Sequence, residues 1–468
     1  MPLPHDTAVA LGVERDGVNF GHCQSRSLML DRLANPALEK DDRRDFFLNT
    51  FKKTSVRDRI PAWQSFLRLQ LGLSTDVILF AQLQSRLMVN MAGGVMENAG
   101  LCLDRFGVPY IPGSAVKGCA RRMAIQNLLE ACEANEPTDK LARLLADIAL
   151  VFGWGEGDWK QRADFPSNDD WVKKRSDFAY ACGHAFWPKI RAEVRQRLCA
   201  ELKCKEVPSH FAASVSFLPA YPHQLPANDL ELDVLTCHHP KYYRGDEDMP
   251  VALDTEEPNP VVFPAVSPGK GTEQDRCVFA LAVLPLRGEH DSLSQPGKEQ
   301  HLLTREWLRQ GLETFGIGAK TSGGYGWFDT SEKLQAEIKH RIQEEEQRRT
   351  DERRRRDDEA KRKAEEENRR RQRAELAKAT EGMTPEQKAL YEMRPWPEQK
   401  FKDLLQKLPS LPSEQKAAAY QLLRTEKIAI WQQIKHLANE GKQKERQRWS
   451  PAAQELYKMA KERKEKMP

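Results

Sequence analysis

Apolar positions along the first 330 residues follow two rhythms. Short, nearly continuous runs at Val77–Phe80, Leu101–Leu103, Val261–Val266 and Val278–Leu284 are rich in Val, Ile, Leu and Phe. Gly, Pro or charged residues bound most of them, which predicts buried strands. Ala115–Ala131 and Leu141–Val151 carry apolar residues at helical spacing instead. From about 155 to 260 the chain is polar and rich in Pro, Trp and His, which predicts insertions and projecting loops. Residues 1–330 therefore read as one α+β unit.

The pattern then breaks. Between Ser331 and Lys378, 31 of 48 residues are charged, 17 basic and 14 acidic. Their order is not random. Acid precedes base by four residues in ten pairs, from Glu344/Arg348 and Glu345/Arg349 through Glu359/Lys363 to Glu367/Arg371. Each such pair stabilises an isolated helix by roughly 0.2–0.5 kcal/mol. No Gly or Pro interrupts the run, and no apolar seam for a coiled coil lies between Ile342 and Leu376. The ordered polarity favours a solitary charged helix over 331–380, on the order of 75 Å long, above a disordered linker.

Beyond Gly382 apolar residues return. Thr384-Pro385-Glu386-Gln387, Pro412-Ser413-Glu414-Gln415 and Ser450-Pro451-Ala452-Ala453 read as helix starts, leading into the related strings KALY, KAAAY and QELY. Residues 384–468 are thus expected to form a small all-α module of three similar helices. Leu422, Leu423, Ile430, Trp431, Ile434 and Leu437 lie on the buried faces of the middle one. Trp396, Trp431 and Trp449 suggest a protein partner for this module.

Composition narrows the class. The formal net charge of +4 is too small to mark a nucleic-acid binder, so any basic footprint must be local. Nine cysteines without a C-x-x-C suit reduced thiols better than a disulfide framework. The first residues have no basic and apolar leader pattern, and no run of about 18 apolar residues follows, which predicts a cytoplasmic protein.

Two strings carry candidate chemistry. The first is Gly316-Ile317-Gly318-Ala319-Lys320-Thr321-Ser322-Gly323-Gly324-Tyr325-Gly326-Trp327-Phe328. Its glycines allow positive φ and close approach of another chain, its N–H groups can form an anion nest, and Lys320, Thr321 and Ser322 can position a phosphate. Tyr325 and Trp327 can stack on a base or return the chain to the core. A phosphate-binding P-loop fails on spacing, because Ala319 and Thr314 stand where glycines are needed. An ordinary glycine turn stays open.

The second string is Ile111-Pro112-Gly113-Ser114-Ala115-Val116-Lys117-Gly118-Cys119-Ala120-Arg121-Arg122. It predicts a strand end, a cap at Ser114, and a helix start with Lys117, Arg121 and Arg122 on neighbouring turns. That arrangement suits phosphate, although a solvated basic helix face gives the same pattern.

Together the two strings resemble the RAMP superfamily of CRISPR proteins. Further strings occur in the expected order: Ser85-Arg86-Leu87, Glu97–Leu101, Phe152-Gly153, Phe217–Pro222, Glu231–Val234, His238-His239 and Tyr242-Tyr243. They narrow the resemblance to RAMP subunits of type III-B (Cmr) complexes, over about 75–328. Pro219 departs from the pattern, which has an acidic residue there, and nothing past 331 is expected from the family.

The resemblance implies a modified ferredoxin-like (RRM-like) core. It also implies a non-catalytic subunit that binds guide CRISPR RNA and target RNA near the guide 3′ end, beside a backbone RAMP and a neighbouring RAMP subunit. The residues expected at RNA are Arg86, Ser114, Lys117, Arg121, Arg122, Gly318, Lys320, Thr321, Ser322, Gly323, Gly324 and Tyr325. The alternative is a CRISPR-RNA processing endoribonuclease, with His238 and His239 as the best-placed bases. Cys182, His184, Cys199, Cys204, His210 and Cys237 do not have the spacing of a standard zinc knuckle. No metal, cofactor or catalytic residue is expected.

Overall fold

The computed structural model describes residues 5–12, 21–38, 40–71, 77–90, 96, 101–248, 250–285 and 296–467. The chain divides into two compact units, Met1–Gln343 and Glu344–Pro468.

Among the described residues of the first unit, the strands in chain order are β1 (Ile78–Leu83), β2 (Val215–Phe217), β3 (Tyr221–Gln224), β4 (Leu230–Cys237), β5 (Asn259–Val266), β6 (Gly269–Thr272), β7 (Asp275–Arg276), β8 (Val278–Pro285) and β9 (Phe328–Asp329). β8 and β1 form the centre of the main sheet. β9 borders β1, while β2 and β3 both pair with the far side of β8, all antiparallel. With β2 and β3 taken as one broken strand, and with helices Gly113–Glu133 and Pro296–Thr314, the order is strand, helix, strand, strand, helix, strand. The last strand lies beside the first and the third on its other side, which is the ferredoxin-like arrangement. Helices Thr138–Phe152 and Asp177–Glu201 and hairpin β4–β5 are insertions into it.

β1 and β8 are apolar on both faces because both faces are covered. Successive side chains alternate. Leu79, Ala81, Leu83, Phe279, Leu281 and Val283 enter the main core with Val116, Ala120, Leu308 and Leu312. Ile78, Phe80, Val278, Ala280 and Ala282 form a second cluster with Leu67, Leu334 and Ile338. Leu67 belongs to helix Ile60–Leu71, and the other two open the long helix Glu332–Ala379. Because β9 pairs only with Gln82 and Leu83, the backbone of Phe80 is left at an edge. Gln335 closes it: Phe80 N–H donates to Gln335 Oε1 at 3.1 Å, and Gln335 Nε2 donates to Phe80 O at 2.5 Å. Glu337 pairs with the buried Arg276 at 2.5 Å.

The first three turns of the charged helix are therefore part of the core. This corrects the expectation of a free spacer beginning at 331, since Leu334 and Ile338 form an apolar stripe ahead of the acid-to-base pairs. Within the second unit, Glu345–Arg349, Glu359–Lys363 and Glu367–Arg371 close at 2.6–2.7 Å on exposed faces.

Three other expectations change. Leu101–Leu103 is not a strand. It is one arm of a tight turn, with an isolated bridge from Leu103 to Pro109. The 155–260 region is less open than its composition predicts, because Trp159, Trp171 and Trp187 are all buried. Among its described residues the C-terminal module has five α-helices, Pro385–Met393, Glu398–Leu405, Ser413–Thr425, Ile428–Asn439 and Gln443–Glu462. Thr384 and Gln387 form the expected capping box. Pro451, by contrast, sits inside the last helix, because nothing in Gln443–Ser450 stops the helix earlier. The module's core includes Phe401, Tyr420, Leu422, Leu423, Trp431, Ile434, Trp449 and Leu456. Trp431 and Trp449 thus pack inside rather than face a partner. No helix among the described residues is long and apolar enough to cross a membrane.

Candidate nucleic-acid interface

The strand-to-helix string is held by close backbone approach. Ile111 and Ala220 exchange two hydrogen bonds of 2.9 and 2.8 Å. Pro112 is the N-cap of helix Gly113–Glu133, and its carbonyl accepts from Ala115 and Val116 N–H. Ser114 is therefore inside the first turn and exposed, not the cap. A Cβ on Gly113 would lie 2.3 Å from Phe217 O, so the glycine is there to let the helix touch β2.

The three basic residues that follow have different fates. Lys117 Nζ donates at 2.8 Å to Phe152 O, a terminal carbonyl of helix Thr138–Phe152. Burial, and secondarily Arg121, lowers its pKa. Arg121 pairs with Asp177 and lies 5.2 Å from the Phe178 ring centroid. Arg122 is exposed and lies over Phe315 at 4.0 Å. Next to that contact, Cys119 Sγ donates to Gly316 O at 3.7 Å. The two strings, 197 residues apart at these atoms, thus meet where the helix touches the base of the glycine-rich loop.

The loop is pinched shut at its base and open at its tip. Ile317 N–H donates to Gly326 O at 2.9 Å, Gly326 N–H to Arg86 O at 2.8 Å, and Ala319 N–H to Met88 O at 2.8 Å. Gly318 and Gly326 have φ of 99° and 67°. A Cβ on them would lie 2.3 Å from Met88 O and 2.0 Å from Ile317 O respectively. Lys320 adopts left-handed backbone geometry ahead of a short 3-10 turn over Thr321–Gly323. Gly323 and Gly324 N–H bond back to the carbonyls of Lys320 and Thr321. These two therefore do not form the expected anion nest. Ser322, Gly323 and Gly324 are exposed, and Lys320 is half-buried with its ammonium 6.0 Å from the Phe263 ring.

Arg86 and Tyr325 belong to a polar network beneath the loop. Arg86 bonds Glu231 at 2.5 Å and Asp233 at 2.9 Å, both on β4, and Tyr325 OH donates to Asp233. Burial first, then the hydrogen bond to Asp233, pushes the Tyr325 phenol up to about 12. Burial raises the Asp233 carboxyl, but bonds from Tyr325 and Val234 N–H and the charge of Arg86 outweigh it and hold it below the ordinary range. Glu231 and Asp233 were not expected at the site. Their spacing of two along a strand, which places both on one face, is the signal that could have found them.

The expected residues therefore separate. Arg86, Lys117, Arg121 and Tyr325 are joined to partners within the chain. Arg122, Lys320, Ser322, Gly323 and Gly324 are left at the surface around the loop.

The other candidates are scattered. His238 is exposed, and His239 Nδ1 lies 3.8 Å from Glu256. Cys182 contacts Cys132, which with burial pushes its thiol pKa up. Cys199 donates to Lys205 O. The side chains of His184 and Cys237 lie outside the described set, as do Glu97–Gly100. Among the described residues, no three His, Cys, Asp or Glu side chains converge in a metal-binding arrangement.

The family model of the RAMP superfamily matches residues 91–329. The CRISPR system Cmr subunit Cmr6 of Pyrococcus furiosus is 28% identical over 253 residues, which cover 52% of this chain and 64% of that relative. The match thus spans just under two thirds of the relative's length. Among solved structures, a type III-B Cmr-beta complex bound to cognate target RNA contains a chain with a TM-score of 0.33 at 13% identity, covering 70% of this chain and 88% of that one. The crystal structure of Cmr6 from Pyrococcus furiosus gives a TM-score of 0.24 at 23% identity, covering 55% and 97%.

Proposed function

Because this chain belongs to the RAMP superfamily, we propose that it is a Cmr6-type subunit of a type III-B Cmr complex. In this reading it binds guide and target RNA near the guide 3′ end and leaves cutting to another subunit. The observation that carries the reading is the meeting of helix Gly113–Glu133 with the glycine-rich loop, through Cys119 on Gly316 and Arg122 on Phe315. The loop base is fixed by backbone bonds, while its tip offers a hydroxyl, small residues and the nearby charge of Lys320. Such a tip positions an RNA backbone without selecting its sequence.

The interface is correspondingly small and electrostatic. Lys320→Ala should weaken binding about equally for unrelated guide 3′ sequences and flatten the salt slope by about one unit. The partners in this reading are the guide and target RNA, a backbone RAMP subunit and a neighbouring RAMP. Tyr391 and Tyr457, each 45% exposed, are aromatic groups that the C-terminal unit offers to an accessory protein.

The test is to tag the chain, purify it from its native cells and sequence the RNA that accompanies it. CRISPR-derived RNAs protected through their 3′ portion are expected, and their absence would overturn the reading. The purified complex is also incubated with labelled repeat RNA, with and without EDTA. Cleavage by this subunit that persists in EDTA and is lost in His238→Ala/His239→Ala would favour the endoribonuclease alternative.

A further inference from the structure

Away from the glycine-rich loop, one exposed aromatic ring is surrounded by cations. Phe106 is 45% exposed, and the guanidinium groups of Arg59 and Arg105 lie 5.1 and 4.7 Å from its ring centroid. The ring borders a pocket of about 370 Å³ lined by Gln24, Ser25, Lys53, Arg59 and Arg105 among others. That volume falls in the roughly 300–1,000 Å³ range of small-ligand sites. Lys53, Arg59 and Arg105 are all exposed. The acid in the pocket is Asp58, whose carboxylate is 3.7 Å from Arg59. Among the described residues, neither Lys53 nor Arg105 pairs with a carboxylate.

The patch is built rather than incidental, because buried groups fix both loops that carry it. Arg26, 1% exposed, donates to Asp229 at 2.5 and 2.9 Å, to Thr54 O at 2.7 Å and Thr54 Oγ1 at 3.1 Å, and to Gly107 O at 3.4 Å. It thereby ties Lys53–Arg59 to the turn Asp104–Gly107. In that turn, Asp104 Oδ1 accepts from Phe106 N–H at 2.8 Å and Val108 N–H at 2.9 Å. Gly107 closes it with φ of 83°, and a Cβ there would lie 2.7 Å from Arg26 Cβ. The acidic side chain of the turn is therefore occupied inward, while Arg105 and Phe106 stand at its tip. An exposed aromatic ring with guanidinium groups packed over it, carried on loops that Arg26 holds in place, matches single-stranded nucleic acid, whose bases stack on rings and guanidinium planes and whose phosphates pair with Lys and Arg.

We propose that this pocket is a second RNA contact, in which Phe106 stacks on one unpaired base and Arg59, Arg105 and Lys53 hold the adjoining phosphates. The proposal rests on the RNA-binding reading above but concerns residues that reading does not use.

The experiment measures fluorescence polarisation of the full chain with a labelled single-stranded RNA and with an abasic ribose-phosphate chain of equal length. Wild type should bind the RNA more tightly than the abasic chain. Phe106→Ala should lose about tenfold affinity for RNA and most of that preference, and Phe106→Trp should retain both. Photo-crosslinking of RNA carrying 4-thiouridine to the wild-type chain should label the peptide containing Arg105 and Phe106, a result that does not depend on any variant folding. If wild type binds RNA but Phe106→Ala stays within twofold and the peptide is unlabelled, the stacking site is wrong and the RNA-binding reading survives. If wild type binds no RNA, both fall. If an oligoglutamate peptide competes as well as RNA, the patch reads charge alone and the proposal is overturned.

Discussion

Two glycines of the same loop should respond differently to an added methyl group, one in stability and the other in binding. Gly326 holds φ of 67° in close contact with Ile317. An L-residue in that conformation costs about 1–2 kcal/mol. Its Cβ would also lie 2.0 Å from Ile317 O, so that carbonyl or the loop must move by more than an ångström. Such movement removes the bonds from Ile317 N–H to Gly326 O and from Gly326 N–H to Arg86 O. At about 1 kcal/mol each, the total for Gly326→Ala is about 3–4 kcal/mol. A Cβ on Gly323 would meet only Tyr325 Cδ2 at 3.9 Å, an ordinary contact. Gly323→Ala should therefore change stability by no more than about 0.5 kcal/mol. Thermal unfolding gives the global comparison, and hydrogen exchange over residues 78–90 and 316–329 the local one. Gly326→Ala should lower the melting temperature and speed exchange of Ile317 and Ala319, while Gly323→Ala leaves both alone but weakens RNA binding severalfold. Equal stability of the two variants would refute the pinched-base geometry. Unchanged RNA binding by Gly323→Ala would remove the tip from the interface.

Arg26→Met leaves Asp229 buried without its counter-ion and should cost about 3–5 kcal/mol in urea unfolding. Adding Asp229→Leu should recover at least half of it, and no recovery would mean that the bonds to Thr54 and Gly107 dominate. Tyr325 has a phenol raised to about 12, so its contribution to loop closure is present below its ordinary value near 10 and disappears between about pH 10 and 12. Asp233 is held below its ordinary value near 4, so its contribution is present above that pH and disappears as the pH falls through the lowered value. Protection of the Ala319 amide, taken relative to its intrinsic exchange rate at each pH, should fall at both extremes, and Tyr325→Phe should abolish the alkaline fall while keeping the acid one. Truncation after Ser331 removes Leu334, Ile338, Gln335 and Glu337 from the sheet, and losing the two buried side chains alone should destabilise the first unit by about 4 kcal/mol. Truncation after Gln343 spares all four and should leave melting of that unit near its full-length value.

What was legible in the sequence depended on the range of the interaction that decides it. β1 and β8 stood out because both faces are covered, which removes polar residues from the run itself. Helix Gly113–Glu133 and the glycine-rich loop were legible for the same local reason. The partners of the basic residues were not. Lys117 meets Phe152 O, Arg121 meets Asp177 and Arg86 meets Glu231 at sequence separations of 35, 56 and 145. No periodicity carries such pairings, so residues that look free for phosphate turn out to be occupied. Leu334 and Ile338 were visible as an i,i+4 apolar pair but were overshadowed by the charge around them. Pro451 shows the converse, a strong local start signal overridden by a helix already under way. The Phe106 platform was hidden because its two halves, Lys53–Arg59 and Asp104–Gly107, are distant in sequence and are held together by Arg26 from a third segment.

In the proposed RNA-binding role, the covered sheet also limits where RNA can be read. In an RRM, bases stack on aromatic residues displayed on the open face of a four-stranded sheet. Here that face carries Phe80, 1% exposed, with Ile78, Val278, Ala280 and Ala282 under Leu67, Leu334 and Ile338. Uncovering it would expose three large aliphatic side chains, at roughly 1.5–3 kcal/mol each. It would also break the Gln335 bonds to Phe80 and the Arg276–Glu337 pair. Stacking one base returns about 1–3 kcal/mol, less than the sum of those losses. An RNA strand bound to this chain is therefore better accommodated along the loops at the rim of the sheet than on the sheet itself. The ferredoxin-like order then acts mainly as a frame that brings the ends of its strands and helices, and the loops between them, to fixed positions.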